Sequence, residues 1–193
     1  MEKRISYFQS DLKTRSESDE KILEGYFVVF NQETELWQGV YEEIAPSAVV
    51  NSLKTNDIRA LFNHDAAIVL GRVGNQTLEL KADEHGLYGR VFINSDDREA
   101  NDIYARVSRG DINQCSFGFY PLEEEVQRDQ ERDTTKFIVK EADVIEVSIV
   151  AWGAYSTTEI SARSRAKQVE DIKERERKAK LKEFRSKYGK ESL

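Results

Sequence analysis

The sequence predicts a mostly β domain with flanking helices, an α+β fold, and three observations carry that prediction. Segments such as KILEGYFVVFN from Lys21, INQCSFGFY from Ile112 and KFIVKEADVIEVSIVAW from Lys136 are dense in branched and aromatic residues, as buried strands are. Turn chemistry separates such segments, with DEHG at Asp83–Gly86 as the clearest hairpin signal. Helical spacing is confined to two short stretches before the C-terminal tail, too little for an α-rich core.

Taken in order, residues 1–20 form a polar N-terminal segment in which ISYF is the only apolar patch. The first strand begins at Lys21. WQGVYEEIAPSAVVNSLK predicts a short helix starting near Pro46, a residue suited to a first helical turn, with Val49, Val50 and Leu53 on its apolar face. DIRALFNH and AIVLGRV read as strands. QTLELKADEHGLYGRVFIN reads as a hairpin whose Gly86 is expected at positive φ. SDDREANDIYARVSRGD is the strongest helix of the body. Ser95, Asp96 or Asp97 caps it, Ala100, Ile103, Tyr104 and Val107 share a face, and Gly110 ends it. NQCSFGFY is a strand, EEEVQRDQERDTT an exposed charged loop, and KFIVKEADVIEVSIVAW one strand or two. Residues 162–193 have helical propensity but no apolar stripe, which predicts a solvent-exposed helix or a disordered tail after a domain spanning 21–161.

Charge narrows the function. The net charge of −7 combines a basic tail with an acidic body: from Arg163 onward 12 Lys and Arg face 6 Asp and Glu, leaving 17 against 30 before it. An acidic body argues against general nucleic-acid binding, which needs clustered cations. No apolar stretch is long enough to cross a bilayer, and the N-terminus lacks the apolar core of a secretory signal, so no membrane partner is expected. A single cysteine fits a reducing cytoplasm. His64 and His85 stand far apart, and neither a Gly-rich phosphate loop nor a dinucleotide fingerprint occurs, so no metal and no cofactor are expected. His85 reads as a turn residue.

Alternation within two strands singles out the candidate chemistry. Cys115, Phe117 and Phe119 share a core face, which leaves Ser116, Gly118 and Tyr120 opposite, with Gly118 making room for a substrate backbone. Ile145, Val147 and Ile149 likewise oppose Glu146 and Ser148, and a carboxylate in so apolar a strand needs a partner. A serine hydroxyl needs a base to act as a nucleophile, and an imidazole has the intrinsic pKa to serve. A carboxylate on its far nitrogen would fix the tautomer. Ser116 and His64 fill the first two roles, and both Glu146 and Asp65 qualify for the third. Cys115 is the alternative nucleophile, disfavoured because an apolar face makes a thiol inert.

At these residues the sequence resembles the prohead serine proteases of tailed bacteriophages. The resemblance is carried by GYFVVFN, YEEIAPSAV, LFNHD followed by LGR, GLYGRVFI, SFGF and EVSIV, in that order over roughly residues 21–161. It implies a herpesvirus-protease-like β-barrel core and endopeptidase activity on capsid or scaffold protein inside an assembling procapsid in the host cytoplasm. It also implies Ser116 as nucleophile, His64 as general base and Glu146 as orienting acid. Asp65 stays in reserve, because adjacent residues on a strand point to opposite faces, and Arg72 of LGR is a candidate aid to oxyanion binding. Self-cleavage and a homodimer follow from the same resemblance. A catalytically silent module that binds capsid or scaffold protein is the rival reading. Where many relatives carry a proline after the EVSIV strand, this chain reads AWGAYSTT with Gly153.

Overall fold

The computed structural model describes residues 3–10, 12–17, 20–152 and 158–188, so Gly153 lies outside the described residues. The chain divides into two units, Met1–Thr158 and Glu159–Leu193. The second holds one long helix, which spans Thr158–Tyr188 and so begins before the expected start of the tail.

The first unit opens with strands where a plain polar segment was expected: β1 (Arg4–Gln9) and β2 (Lys13–Glu17). Both lie at sheet edges, where a strand pairs on one side only and tolerates polar residues. Then come β3 (Glu20–Val29), β4 (Thr34–Trp37), β5 (Val40–Ile44), a 3₁₀ turn at Pro46–Val49 and the single-turn α1 (Ser52–Thr55). Val49 is buried, but Val50 faces solvent, because the turn tightens before α1 begins. A hairpin of β6 (Arg59–Phe62) and β7 (Asp65–Arg72) precedes a second one of β8 (Leu78–Ala82) and β9 (Gly86–Ile93). Gly86 does not take a positive φ. It is needed because a Cβ there would lie 2.0 Å from the Val28 carbonyl oxygen.

Next is α2 (Arg98–Arg109), capped by Asp97, whose side chain accepts from the Glu99 and Ala100 amides, and ended by Gly110. Two long strands complete the unit, β10 (Gln114–Asp129) and β11 (Thr134–Val150). The charged stretch expected as a loop is therefore mostly strand. Its residues pair in register with β11 from Glu124 to Asp129, after a register shift at Glu123, and ion pairs such as Lys140–Glu125 tie its solvated side chains together.

The strands do not close into a barrel. They form two open sheets, one ordered β1–β10–β11–β5–β4 with β6 and then β7 attached to β11, the other β2–β3–β9–β8. The core contains Leu23, Phe27, Leu87 and Val91 from the second sheet with Cys115, Phe117, Val147 and Ile149 from the first. Phe117 and Phe119 stack with centroids 4.5 Å apart.

The geometry along β11 positions the later site. β5 and β6 both run parallel to it on the same edge, β5 beside Thr135–Val139 and β6 beside Glu146–Ile149. The helical insert between them serves the intervening backbone. Ser47 Oγ donates to the Lys140 carbonyl, Ser52 Oγ donates to the Ala142 carbonyl and accepts from the Val144 amide, and Asn56 Nδ2 donates to the Val144 carbonyl. Backbone groups left without a strand partner are thereby satisfied, which fixes where β6 lies along β11.

Phe117→Ala is expected to cost about 3–5 kcal/mol of stability in urea unfolding, as for other large buried aromatics. A cost under about 1 kcal/mol would show that this stack is not central to the core.

Candidate active site

His64 was expected on a strand; it occupies a turn. Phe62 pairs with Asp65 across the β6–β7 hairpin, and Asn63 and His64 between them have φ of 51° and 61°. Two consecutive left-handed residues are the signature of a tight turn whose twist matches its strands. Asn63 clamps this turn to the end of β11: its amide donates to the Ile149 carbonyl, and its Oδ1 accepts from the Ala151 amide. The clamp holds the imidazole against the polar face of β11.

On that face His64 Nδ1 lies 2.7 Å from Glu146 Oε1. The side chain of Glu146 is 2% exposed and that of His64 9%. Ser148, two residues along and therefore on the same face, donates its hydroxyl to Glu146 Oε2 at 2.7 Å. Lys3 Nζ approaches Oε1 at 3.2 Å. Burial alone would raise the Glu146 pKa. The hydrogen bond and charge of His64, the Ser148 hydroxyl and the Lys3 ammonium together outweigh it, holding the carboxyl below its ordinary value. An ionised carboxylate only accepts, so Nδ1 must carry the imidazole proton when His64 is neutral. The lone pair then resides on Nε2, which is buried and has no hydrogen-bond partner. That is the tautomer a general base requires.

Gly118 makes this arrangement possible. It pairs across β10–β11 with Glu146, and a Cβ there would lie 2.2 Å from Oε1 and 2.6 Å from Lys3 Cε. The space read from sequence as room for a substrate is thus filled by the carboxylate itself. Ser116 is two residues along the same face, about 7 Å away by strand rise, and pairs with Ser148. Its hydroxyl is fully buried and donates to the Ser6 carbonyl at 2.8 Å, not to His64. Tyr7, the cross-strand partner of Ser116 on β1, sets its ring edge-on to His64 at 5.6 Å. Burial and the Glu146 charge push its phenol up to about 12, so the ring stays neutral.

The other candidates fall elsewhere. Asp65 is exposed and its Oδ1 accepts from the Ala67 amide within the hairpin. Arg72 is committed to Asp57, which takes bonds from its Nε and terminal nitrogen at 2.5 Å. Cys115 is fully buried on the core face, and burial pushes its thiol up to about 12, which leaves almost no thiolate at neutral pH. His85 caps the β8–β9 turn, its amide donating to Asp83 and its ring edge-on to Tyr26. Ser148 was legible as a same-face neighbour of Glu146. Lys3 and Tyr7 were not, because nothing in a polar N-terminal segment announces its pairing partner.

A model of the caudovirus prohead serine proteases matches residues 10–175. The capsid assembly protease of bacteriophage T4 shares the fold with a TM-score of 0.52 at 13% identity, over 79% of this chain and 98% of that one. No curated protein is similar enough in sequence to count as a match.

Two outcomes test the geometry. Gly118→Ala should cost about 1–3 kcal/mol in urea unfolding, because the new methyl collides with the buried Glu146 carboxylate. Glu146→Gln should also destabilise, by about 1–3 kcal/mol near neutral pH. Since the folded-state pKa of Glu146 is depressed, the carboxylate's contribution is fully present above the ordinary glutamate value of about 4.3. It is lost only as pH falls through the lower folded value. Unfolding of wild type and Glu146→Gln at stepped pH should show that contribution intact down to the ordinary carboxylate range.

Proposed function

This chain belongs to the family of caudovirus prohead serine proteases, and on that premise we propose a serine endopeptidase with Ser116 as nucleophile, His64 as general base and Glu146 as orienting acid. Its substrates in this reading are the capsid or scaffold proteins of an assembling procapsid, where the enzyme would work. The observation that supports it most is the state of His64: Nδ1 bonded to a buried ionised carboxylate, Nε2 buried with a free lone pair, on the face that carries Ser116.

The chemistry balances with these groups alone. Ser116 Oγ attacks the scissile carbonyl carbon as its proton passes to His64 Nε2, and Glu146 stabilises the imidazolium. The C–N bond breaks, and His64 returns the proton to the leaving amine. Water then attacks the acyl ester, giving one proton to His64, and the regenerated serine takes it back. Backbone N–H donors around the oxyanion would add roughly 3 kcal/mol each. The basic tail, with its net charge of +6 from Arg163 onward, gives the protein a means of docking on an acidic scaffold segment.

Co-expression with the capsid protein, read by mass spectrometry, tests the assignment. Ser116→Ala and His64→Ala should each lower cleavage by about a thousandfold or more, while Cys115→Ser should keep it. Wild-type cleavage by either of the first two variants would overturn the roles. Absence of cleavage by the wild-type chain, with no labelling of Ser116 by a serine-reactive phosphonate even when Arg4→Ala loosens the strand beside it, would favour a silent assembly module.

A further inference from the structure

We propose that β1 is a self-inhibitory strand occupying the seat of the substrate, and that the enzyme works only when β1 leaves the edge of β10. The inference rests on the catalytic roles assigned above and concerns the regulation of that site. Its basis is the convergence of two β1 residues, and of Lys3 just before them, on three groups of the site. The Ser6 carbonyl accepts a hydrogen bond from the Ser116 hydroxyl, the Tyr7 ring lies edge-on to His64, and the Lys3 ammonium approaches Glu146.

The pairing explains how one short strand reaches all three. β1 runs antiparallel to β10, with Arg4 opposite Phe119, Tyr7 opposite Ser116 and Gln9 opposite Gln114. Alternation sends Lys3, Ile5 and Tyr7 to the site face and Arg4 and Ser6 to the other, where both are buried. There Arg4 pairs with Glu124 at 2.5 Å and the Ser6 hydroxyl donates to Glu42 at 2.6 Å. One face of β1 therefore anchors it while the other covers the site.

The complex is held in an unreactive pose. Ser116 spends its proton on a carbonyl oxygen, so the proton is not shared with His64 Nε2, and the lone pair of that nitrogen is idle. A peptide substrate adding to the same edge of β10 would make the same ladder, as extended peptides do at open sheet edges. Substrate and β1 thus compete for one seat, and an assembly partner that draws β1 away switches the protease on.

A single substitution tests this in the full chain. Phe8 lies opposite Cys115, so Phe8→Cys sets a second thiol across from the native one, within the Cα separation that a disulfide spans. Labelling of Ser116 by a fluorophosphonate should fall about tenfold or more when the pair is oxidised and recover on reduction. Independently, Arg4→Ala loosens the anchored face and should speed labelling severalfold relative to wild type. Labelling that ignores oxidation in the cross-linked variant, or an unchanged rate in Arg4→Ala, would overturn the strand's role while leaving the catalytic assignment standing. Absence of labelling in every form, the reduced and loosened ones included, would overturn both.

Discussion

A single buried carboxylate organises the site. Glu146 sits in the middle of an apolar strand, where an unpaired charge would be prohibitively costly, and the surrounding structure supplies a partner for each oxygen. Oε2 receives the Ser148 hydroxyl, and Oε1 receives His64 and Lys3. The consequence passes outward from there. Because the carboxylate stays ionised, the imidazole is held in one tautomer; because that tautomer is held, Nε2 remains a base. Gly118 belongs to the same unit, since any side chain there would push the carboxylate off its partners.

The imidazole reaches this carboxylate through the way the sheet is built around β11. That strand serves two parallel neighbours along one edge, and the short helical insert between them bonds the backbone groups that neither neighbour reaches. β6 is thus set beside Glu146, and the left-handed turn at its end, pinned by Asn63, aims His64 back over the sheet. The geometry of the candidate site is a property of strand register more than of any local motif. A slip of one residue would turn Glu146 into the core and Val147 out of it.

The proposed exchange of β1 for a substrate strand would be nearly balanced in backbone hydrogen bonds. Removing β1 forfeits ladder hydrogen bonds worth about 1 kcal/mol net apiece, but an incoming peptide restores equivalent ones. The balance would then be decided by side chains: the partly buried Arg4–Glu124 pair and the buried Ser6–Glu42 bond retain β1, while the substrate's own residues compete. An edge strand with half-exposed Lys3, Ile5 and Tyr7 is more easily released than a strand buried on both faces.

Period-two alternation was legible in the residues themselves: it separated Cys115, Phe117 and Phe119 from Ser116 and Gly118, and Val147 and Ile149 from Glu146 and Ser148. It failed at Ile145, which is only half-buried, because a register shift sets Val144 opposite Phe119 and gives Val144 the core position. Capping chemistry likewise marked α2 at Asp97 and Gly110, because such signals act over a few neighbouring residues. What local patterning could not reveal was which strands meet. The charged half of β10 became a strand because β11 lies beside it, and the polar N-terminus became β1 because the edge of β10 was open. The choice of Glu146 over Asp65 as the carboxylate beside His64 depends on contacts across 82 residues of chain. Long-range pairing is settled by the global competition among burial, register and backbone hydrogen bonding, which no short window of residues contains.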